Sequence, residues 1–261
     1  MAACPTWKGF LKVSLVTVPV RVFPATDTAS SLSFNQLHSE CQTRIRQKKW
    51  CPACDRQVDK SEIVKGYEFE KGRYVVFTGE ELSGIMKGLT GGIVDVVQFV
   101  AQDDIDPIYY RSSYYLAPEK TGVKAYQLLL RALEDKAMVG IAKVAIRERE
   151  HLATVRADEG VIILETMYWP DEIREPHFES LEEDVEIRDE EIKMAEMIID
   201  NLTTTFDPSA WHDTSREAVE AAAQQKIDGQ EIVAPDAPQP TGVVDLMDAL
   251  RASIEATKQA S

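Results

Sequence analysis

His38 and Cys41, with two residues between them, are followed after nine intervening residues by Cys51 and Cys54, again with two residues between them. A pair at that spacing spans one tight turn and aims both side chains at one point. Two such pairs supply three thiolates and one imidazole. That donor set suits a tetrahedral Zn²⁺ ion, and closed sites of this kind hold small hairpins folded. His38, Cys41, Cys51 and Cys54 are therefore candidate ligands of a structural zinc. Zinc-binding turns commonly carry glycine directly after the second ligand, and Asp55 stands there instead. Between the pairs run Arg44, Arg46, Lys48, Lys49 and Trp50. A pinned hairpin would hold these four cations in a fixed shape, ready to meet an anionic partner.

Two further readings of the cysteines stay open: reduced thiols kept for structure, and a redox dithiol. Trp50-Cys51-Pro52-Ala53-Cys54 looks like a thioredoxin active site, but that chemistry needs a βαβ frame. Here the preceding run is charged, and Asp55-Arg56-Gln57-Val58 opens no helix. The basic run has its own plain alternative, a solvated hairpin. No phosphate-binding Gly-x4-Gly-Lys-Ser/Thr loop, Gly-x-Ser-x-Gly elbow or His-Glu-x-x-His helix is present. Asp103, Asp104 and Asp106 could hold Mg²⁺ in a nuclease, or simply form an acidic turn before Pro107. An enzyme, either a thiol oxidoreductase or a metal-dependent nuclease, is the alternative to a non-catalytic binding protein.

The 261 residues carry a net charge of −15, which speaks against nucleic acid until its distribution is considered. Residues 1–156 hold 22 Lys+Arg and 18 Asp+Glu, whereas residues 157–261 hold 7 and 26. The first part can meet phosphate and the second repels it. No apolar run reaches the ~18 residues of a membrane span, and the N-terminus has no signal core. Three clustered cysteines do not make a secreted disulfide framework, and Cys4 reads as a free thiol. A cytoplasmic protein is expected.

The elements that must carry these residues alternate between strand and helix periods. Trp7 to Ala25 alternates as strand, with Pro19 and Pro24 marking edge or turn. Glu68 to Phe77 reads as two strands about a Lys71-Gly72 turn. Ile93–Ala101, Ile108–Leu116 and Val161–Leu164 are further strands. Glu119 to Ala137 has helical spacing, with Thr121 as its cap. Val139 to Val155 alternates, placing Lys143, Arg147, Arg149 and His151 on one strand face, a second basic feature. These short strands predict a β-barrel or sandwich. From Asp189 the chain is helical and acidic, with helices over Asp189–Leu202 and Ser215–Gln225. The aromatics of Phe206-Asp207-Pro208-Ser209-Ala210-Trp211 read as docking contacts. Residues 228–242, with three prolines and two glycines, read as a linker. In the last helix Val243, Met247, Leu250 and Ile254 make an apolar stripe with no segment left to cover it.

Taken in order, several segments resemble the bacterial Ku family, DNA-end-binding proteins of non-homologous end joining. They are Trp7-Lys8-Gly9 with Leu15-Val16-x-Val18-Pro19-Val20, Ser33-Phe34-Asn35-Gln36-Leu37-His38, and Cys41 through Cys54. Ile63-Val64-Lys65-Gly66-Tyr67-Glu68, Gly72-Arg73-Tyr74-Val75-Val76 and Tyr114-Tyr115-Leu116-Ala117-Pro118-Glu119 follow. Phe206-Asp207-Pro208 and Asp245-Leu246-Met247-Asp248-Ala249-Leu250 complete the set, nearly end to end. The resemblance implies an α+β fold: a β-barrel core with a bridging insertion, ring-forming as a dimer, and a mainly helical C-terminal arm. The corresponding boundaries are 1–188 for the core, 189–227 for the arm, 228–242 for the linker and 243–261 for a partner-binding helix. It implies a homodimeric ring on double-stranded DNA ends, recruitment of a multifunctional ATP-dependent DNA ligase, a nucleoid-associated location and no catalysis by this chain. Arg44, Arg46, Lys48, Lys49, Lys143, Arg147 and Arg149 become candidate DNA contacts, and Val243, Met247, Leu250 and Ile254 candidate ligase contacts. Many bacterial relatives end in a lysine-rich tail, and no such tail follows Ala256-Thr257-Lys258-Gln259-Ala260 here.

Overall fold

Strands that bury every second residue can close on themselves, and here they do. The computed structural model describes residues 4–27, 31–90, 92–146, 149–181, 185–230 and 246–260. Along the chain come β1 (Trp7–Val13), β2 (Val16–Pro24), the two-residue β3 (Trp50–Cys51) and β4 (Arg56–Gln57), β5 (Lys65–Glu70) and β6 (Arg73–Phe77). Then follow α1 (Gly79–Thr90), β7 (Ile93–Ala101), β8 (Tyr110–Pro118), α2 (Val123–Lys136), β9 (Met138–Ile146), β10 (Arg149–Asp158) and β11 (Val161–Met167). Three helices end the chain, α3 (Asp189–Leu202), α4 (Thr214–Ile227) and α5 (Leu246–Ala260).

Seven strands form a closed barrel in the order β1-β2-β8-β11-β10-β9-β7. Its interior is filled at period two, as by Val18, Val20 and Val22 of β2 with Leu11, Val94, Leu116, Val144, Val155, Ile162 and Leu164 from the other strands, all essentially inaccessible. All ladders are antiparallel except the closing one, where β1 runs parallel to β7 from Phe10 opposite Ile93 to Val13 opposite Val96. Lys12 and Asp95, register partners across that seam, lie 3.1 Å apart. Helix α2 is anchored by Tyr126. Its hydroxyl donates to the Leu116 carbonyl (2.6 Å) and accepts from the Ile162 amide (2.8 Å), and these two residues are themselves opposite one another in β8 and β11.

Several elements differ from the sequence reading. Val139 to Val155 is a hairpin, β9 turning into β10, and the turn reverses the alternation. Lys143 stands opposite Leu152, whereas Arg149 stands opposite Ile146 and His151 opposite Val144. Ile146 and Val144 are buried while Lys143 is exposed, so Lys143, Arg149 and His151 do not share one face; Arg147 lies outside the described residues. Trp7 to Ala25 is likewise a hairpin, with its turn at Ser14 (φ 54°). Pro19 is not on an edge strand. It sits opposite Phe10 of β1, just beyond the last β2–β8 pair at Val20, and its carbonyl accepts from the Glu119 amide (2.9 Å). Helix α2 is capped by Gly122 rather than Thr121. Helix α1 went unread although its signal is local: the Thr78 hydroxyl accepts from the Glu81 amide, and the Glu81 carboxylate accepts from the Thr78 amide, a capping box.

The chain divides into two compact units, Met1–Glu175 and Pro176–Ser261. In the second, α5 packs on α3. Ile254 is buried, and Met247 and Leu250 are half-buried. The stripe of the last helix is therefore covered within the chain, contrary to the sequence reading; Val243 and residues 231–242 of the linker lie outside the described residues. Phe206 and Trp211, read as docking aromatics, are exposed, and Asp207 instead shapes their turn by accepting from the Ser209 amide.

Replacing Tyr126 by Phe leaves a buried carbonyl and a buried amide without partners. The expected loss is about 1–3 kcal/mol of stability, read as a lower urea midpoint with an unchanged slope.

Candidate nucleic-acid interface and metal site

The insertion between β2 and β7 begins with two tight turns that hold the candidate ligands. In the first, the Gln42 amide donates to the His38 carbonyl (2.8 Å) and the His38 amide to the Thr43 carbonyl (2.9 Å). Leu37 and Arg44 form a single antiparallel bridge at its base. In the second, β3 and β4 pair Cys51 with Arg56, and the Val58 amide closes onto the Lys49 carbonyl (3.0 Å). The residue after each second ligand takes the left-handed conformation, Gln42 at φ 53° and Asp55 at φ 48°. Asp55 thus supplies the backbone shape that glycine usually provides, because its short polar side chain tolerates that region better than most.

The pairs are formed but separate. His38 Nδ1 lies 3.2 Å from Cys41 Sγ. Cys51 and Cys54 interact closely enough to pull their thiols apart: hydrogen bonds from Cys54, first its amide, and from the Ala53 amide hold Cys51 below its ordinary value. The hydrogen bond to Cys51 and its negative charge push Cys54 up. Hydrogen bonds from Thr43, first from its side chain, lower Cys41. Amides and hydroxyls aimed at sulfur favour thiolate, the form that binds metal. The donor types and turn geometry fit zinc. Among the described residues no three His, Cys, Asp or Glu side chains converge on one centre, so a shared ion would have to draw the two turns together.

The cations around these turns fall into two groups. Arg56 is committed: its guanidinium makes paired hydrogen bonds to Glu62 (2.6 and 3.1 Å), which lower the Glu62 carboxyl. Arg44, Arg46, Lys48 and Lys49 are all exposed and have no carboxylate partner among the described residues. Of the second basic feature, Lys143 lies 5.9 Å from the Trp169 ring centroid and Arg149 is exposed at the start of β10. His151, lowered first by burial and then by Arg111, favours the neutral imidazole. The acidic turn serves the backbone: Asp104 accepts from the Ala101 amide and Asp106 from the Ile108 amide.

Sequence reading located the β5–β6 hairpin without recognising it as a surface. Tyr67, Phe69, Tyr74, Val75 and Val76 are between 45% and 66% exposed. An isolated two-stranded hairpin is marginal in water, and this one leaves apolar side chains from both strands uncovered. The signal was present in the sequence, as the consecutive apolar run Tyr74-Val75-Val76-Phe77 in β6, facing the aromatic Tyr67 and Phe69 of β5.

Residues 12–194 match the family model of the Ku70/Ku80 beta-barrel domain, a span that takes in most of the barrel, the whole insertion and the start of α3. The chain belongs to the Ku family. It is 44% identical to the non-homologous end joining protein Ku of Desulfitobacterium hafniense, over 97% of this chain and 88% of that one. It is 42% identical to the protein of that name from Frankia casuarinae and 44% identical to that from Symbiobacterium thermophilum, again over 97% of this chain. It spans 64% and 63% of the length of those two relatives.

Left-handed geometry at two non-glycine positions costs about 1 kcal/mol each. Gln42→Gly with Asp55→Gly should therefore tighten both turns, seen as slower hydrogen exchange at the His38 and Val58 amides. Faster exchange would mean that Gln42 and Asp55 contribute side-chain interactions worth more than that strain.

Proposed function

We propose that the chain binds the ends of double-stranded DNA without reading sequence, as a homodimeric ring, and serves non-homologous end joining without catalysing a step itself. The observation that carries this reading is the set of four exposed cations, Arg44, Arg46, Lys48 and Lys49, which have no carboxylate partner among the described residues, on a folded insertion of a Ku-family barrel. Contacts to phosphate fix a protein on a duplex and carry no base information, which suits a protein that must accept any end. The exposed apolar hairpin β5–β6 supports self-association, since a second copy of the same hairpin offers it the cover that the chain does not. The acidic surplus of residues 157–261 keeps DNA away from the second unit by like charge.

Linear duplex should bind far more tightly than a covalently closed circle of the same sequence. Equal affinity for the two would sink the ring. Changing Arg44, Arg46, Lys48 and Lys49 together to Gln should weaken binding uniformly across sequences. It should also make the salt dependence shallower, by roughly 0.9 in log–log slope for each phosphate that is no longer neutralised.

A structural zinc on His38, Cys41, Cys51 and Cys54 would lock the two turns into one unit and hold the basic run between them. Elemental analysis should then find about one zinc per chain, absent from Cys51→Ser, and a fully folded metal-free protein would exclude it. A multifunctional ATP-dependent DNA ligase is the proposed second partner, held through the face of α5 that carries Met247, Leu250 and Ile254. Because that face rests on α3, recruitment entails its release. Met247→Glu with Leu250→Glu should abolish ligase stimulation and leave end binding intact; stimulation that survives would place recruitment elsewhere.

A further inference from the structure

On the outer surface of the barrel, far in sequence from the cysteine turns, Lys8, Arg21, Pro118, Glu119, Lys120 and Thr121 line a cavity of about 450 Å³. Its cations come from three elements: Lys8 from β1, Arg21 from β2, and Lys120 from the short turn that leads from β8 into α2. None of the three makes an ion pair among the described residues; Arg21 only rests over the Phe23 ring at 5.6 Å. Glu119 is the single carboxylate in the lining.

Two of these cations stand where a sheet disfavours them. Lys8 and Arg21 are register partners in the antiparallel β1–β2 ladder. Opposite residues in such a pair place their side chains side by side, and like charges there are destabilising. The neighbouring strand does not relieve the repulsion, since Arg21 faces Ala117 on its other side. An anion shared between the two would turn the repulsion into a clamp, and Lys120 closes a third side. The wall carrying Lys120 is fixed in place. The Glu119 amide donates to the Pro19 carbonyl (2.9 Å), and Gly122 lies so close that a Cβ there would meet the Pro19 ring at 2.8 Å.

We propose that this cavity binds a phosphate-bearing anion. The charge, three cations against one carboxylate, suits a multiply charged group. The volume exceeds what a lone phosphate fills and falls within the range of small-ligand pockets, ~300–1,000 Å³. The phosphate could belong to a DNA strand or to a free phosphorylated molecule; both present the same chemistry to Lys8, Arg21 and Lys120.

The test titrates inorganic pyrophosphate into the full chain at constant ionic strength, by calorimetry and by thermal melting. Saturable binding and a raised Tm are expected. Arg21→Gln and Lys120→Gln should each weaken binding at least about tenfold, the scale of one charge-assisted hydrogen bond, while Lys193→Gln on α3 leaves it unchanged. Without pyrophosphate, Arg21→Gln should melt no lower than the unsubstituted protein, because it removes a repulsion; this separates loss of the site from loss of the fold. Repeating the titration with saturating linear duplex distinguishes the sources. Displacement assigns the phosphate to DNA, and simultaneous binding assigns it to a free ligand. Absence of saturable binding, or equal loss in Lys193→Gln, would overturn the proposal whether or not the chain binds DNA ends.

Discussion

The parallel pairing of β1 with β7 is the constraint on which the rest of the first unit depends. Every other ladder of the barrel joins antiparallel neighbours, and without this seam the sheet would be open, with two unpaired edges. Closing it does more than satisfy backbone groups. The insertion leaves the barrel from β2 and returns into it at β7, and these strands flank β1 on either side. With neighbouring strands about 4.8 Å apart, closure holds the two roots of the insertion near one another across a single strand. The cysteine turns and the β5–β6 hairpin have almost no buried residues of their own, so their placement starts from those roots. Tyr126 reinforces the opposite side by tying α2 to two facing strands with one hydroxyl.

The charges of the first unit are sorted by whether the fold uses them. Arg156 is half-buried and bound by Glu165 and Asp158, partners that hold its guanidinium firmly protonated. Arg56 is locked to Glu62 and Arg73 to Glu70. These cations stiffen particular turns and strands and have little left to offer a ligand. Arg44, Arg46, Lys48 and Lys49, and separately Lys8, Arg21 and Lys120, have no carboxylate partner among the described residues, in a chain with a large surplus of carboxylates. In so acidic a protein, unpaired cations grouped together call for an outside anion more strongly than the same cations would in a basic one.

The parts of the fold that were legible in the sequence are those whose period never changes. Ile93–Ala101 reads as a strand and Asp189–Leu202 as a helix, and both elements have those bounds. The reading failed where alternation ran through a turn. Ser14 takes a positive φ that nothing in its residue type announces, and beyond it the inward positions shift. The same reversal between β9 and β10 separated Lys143 from Arg149 and His151, so a basic face inferred by counting twos does not exist. The candidate ligand pairs were legible because their spacing is local. The cavity at Lys8, Arg21 and Lys120 was not, because it rests on a strand register and a turn about a hundred residues away. The left-handed Asp55 shows a subtler limit. Sequence convention asked for glycine, whereas the backbone required only a residue able to reach that region of φ.

The cover found for α5 changes what the helix would have to do to meet the proposed ligase. Its apolar face and α3 belong to the same chain and pack together, so docking between them is intramolecular and does not depend on protein concentration. A partner that takes the same face competes with that docking, and its apparent affinity falls in proportion to the fraction of α5 that is free. Burial of Ile254 with Met247 and Leu250 half-exposed is a modest apolar contact, on the order of a few kcal/mol at most for side chains of this size. Such a contact keeps the stripe out of water and away from random association, yet a partner burying the whole face can displace it. A fully exposed stripe would bind more readily but would also present an aggregation-prone surface. A stripe sunk completely into the second unit could not be reached at all. The half-covered helix lies between those limits, and in the proposed recruitment the contact with α3 is what a partner would have to displace.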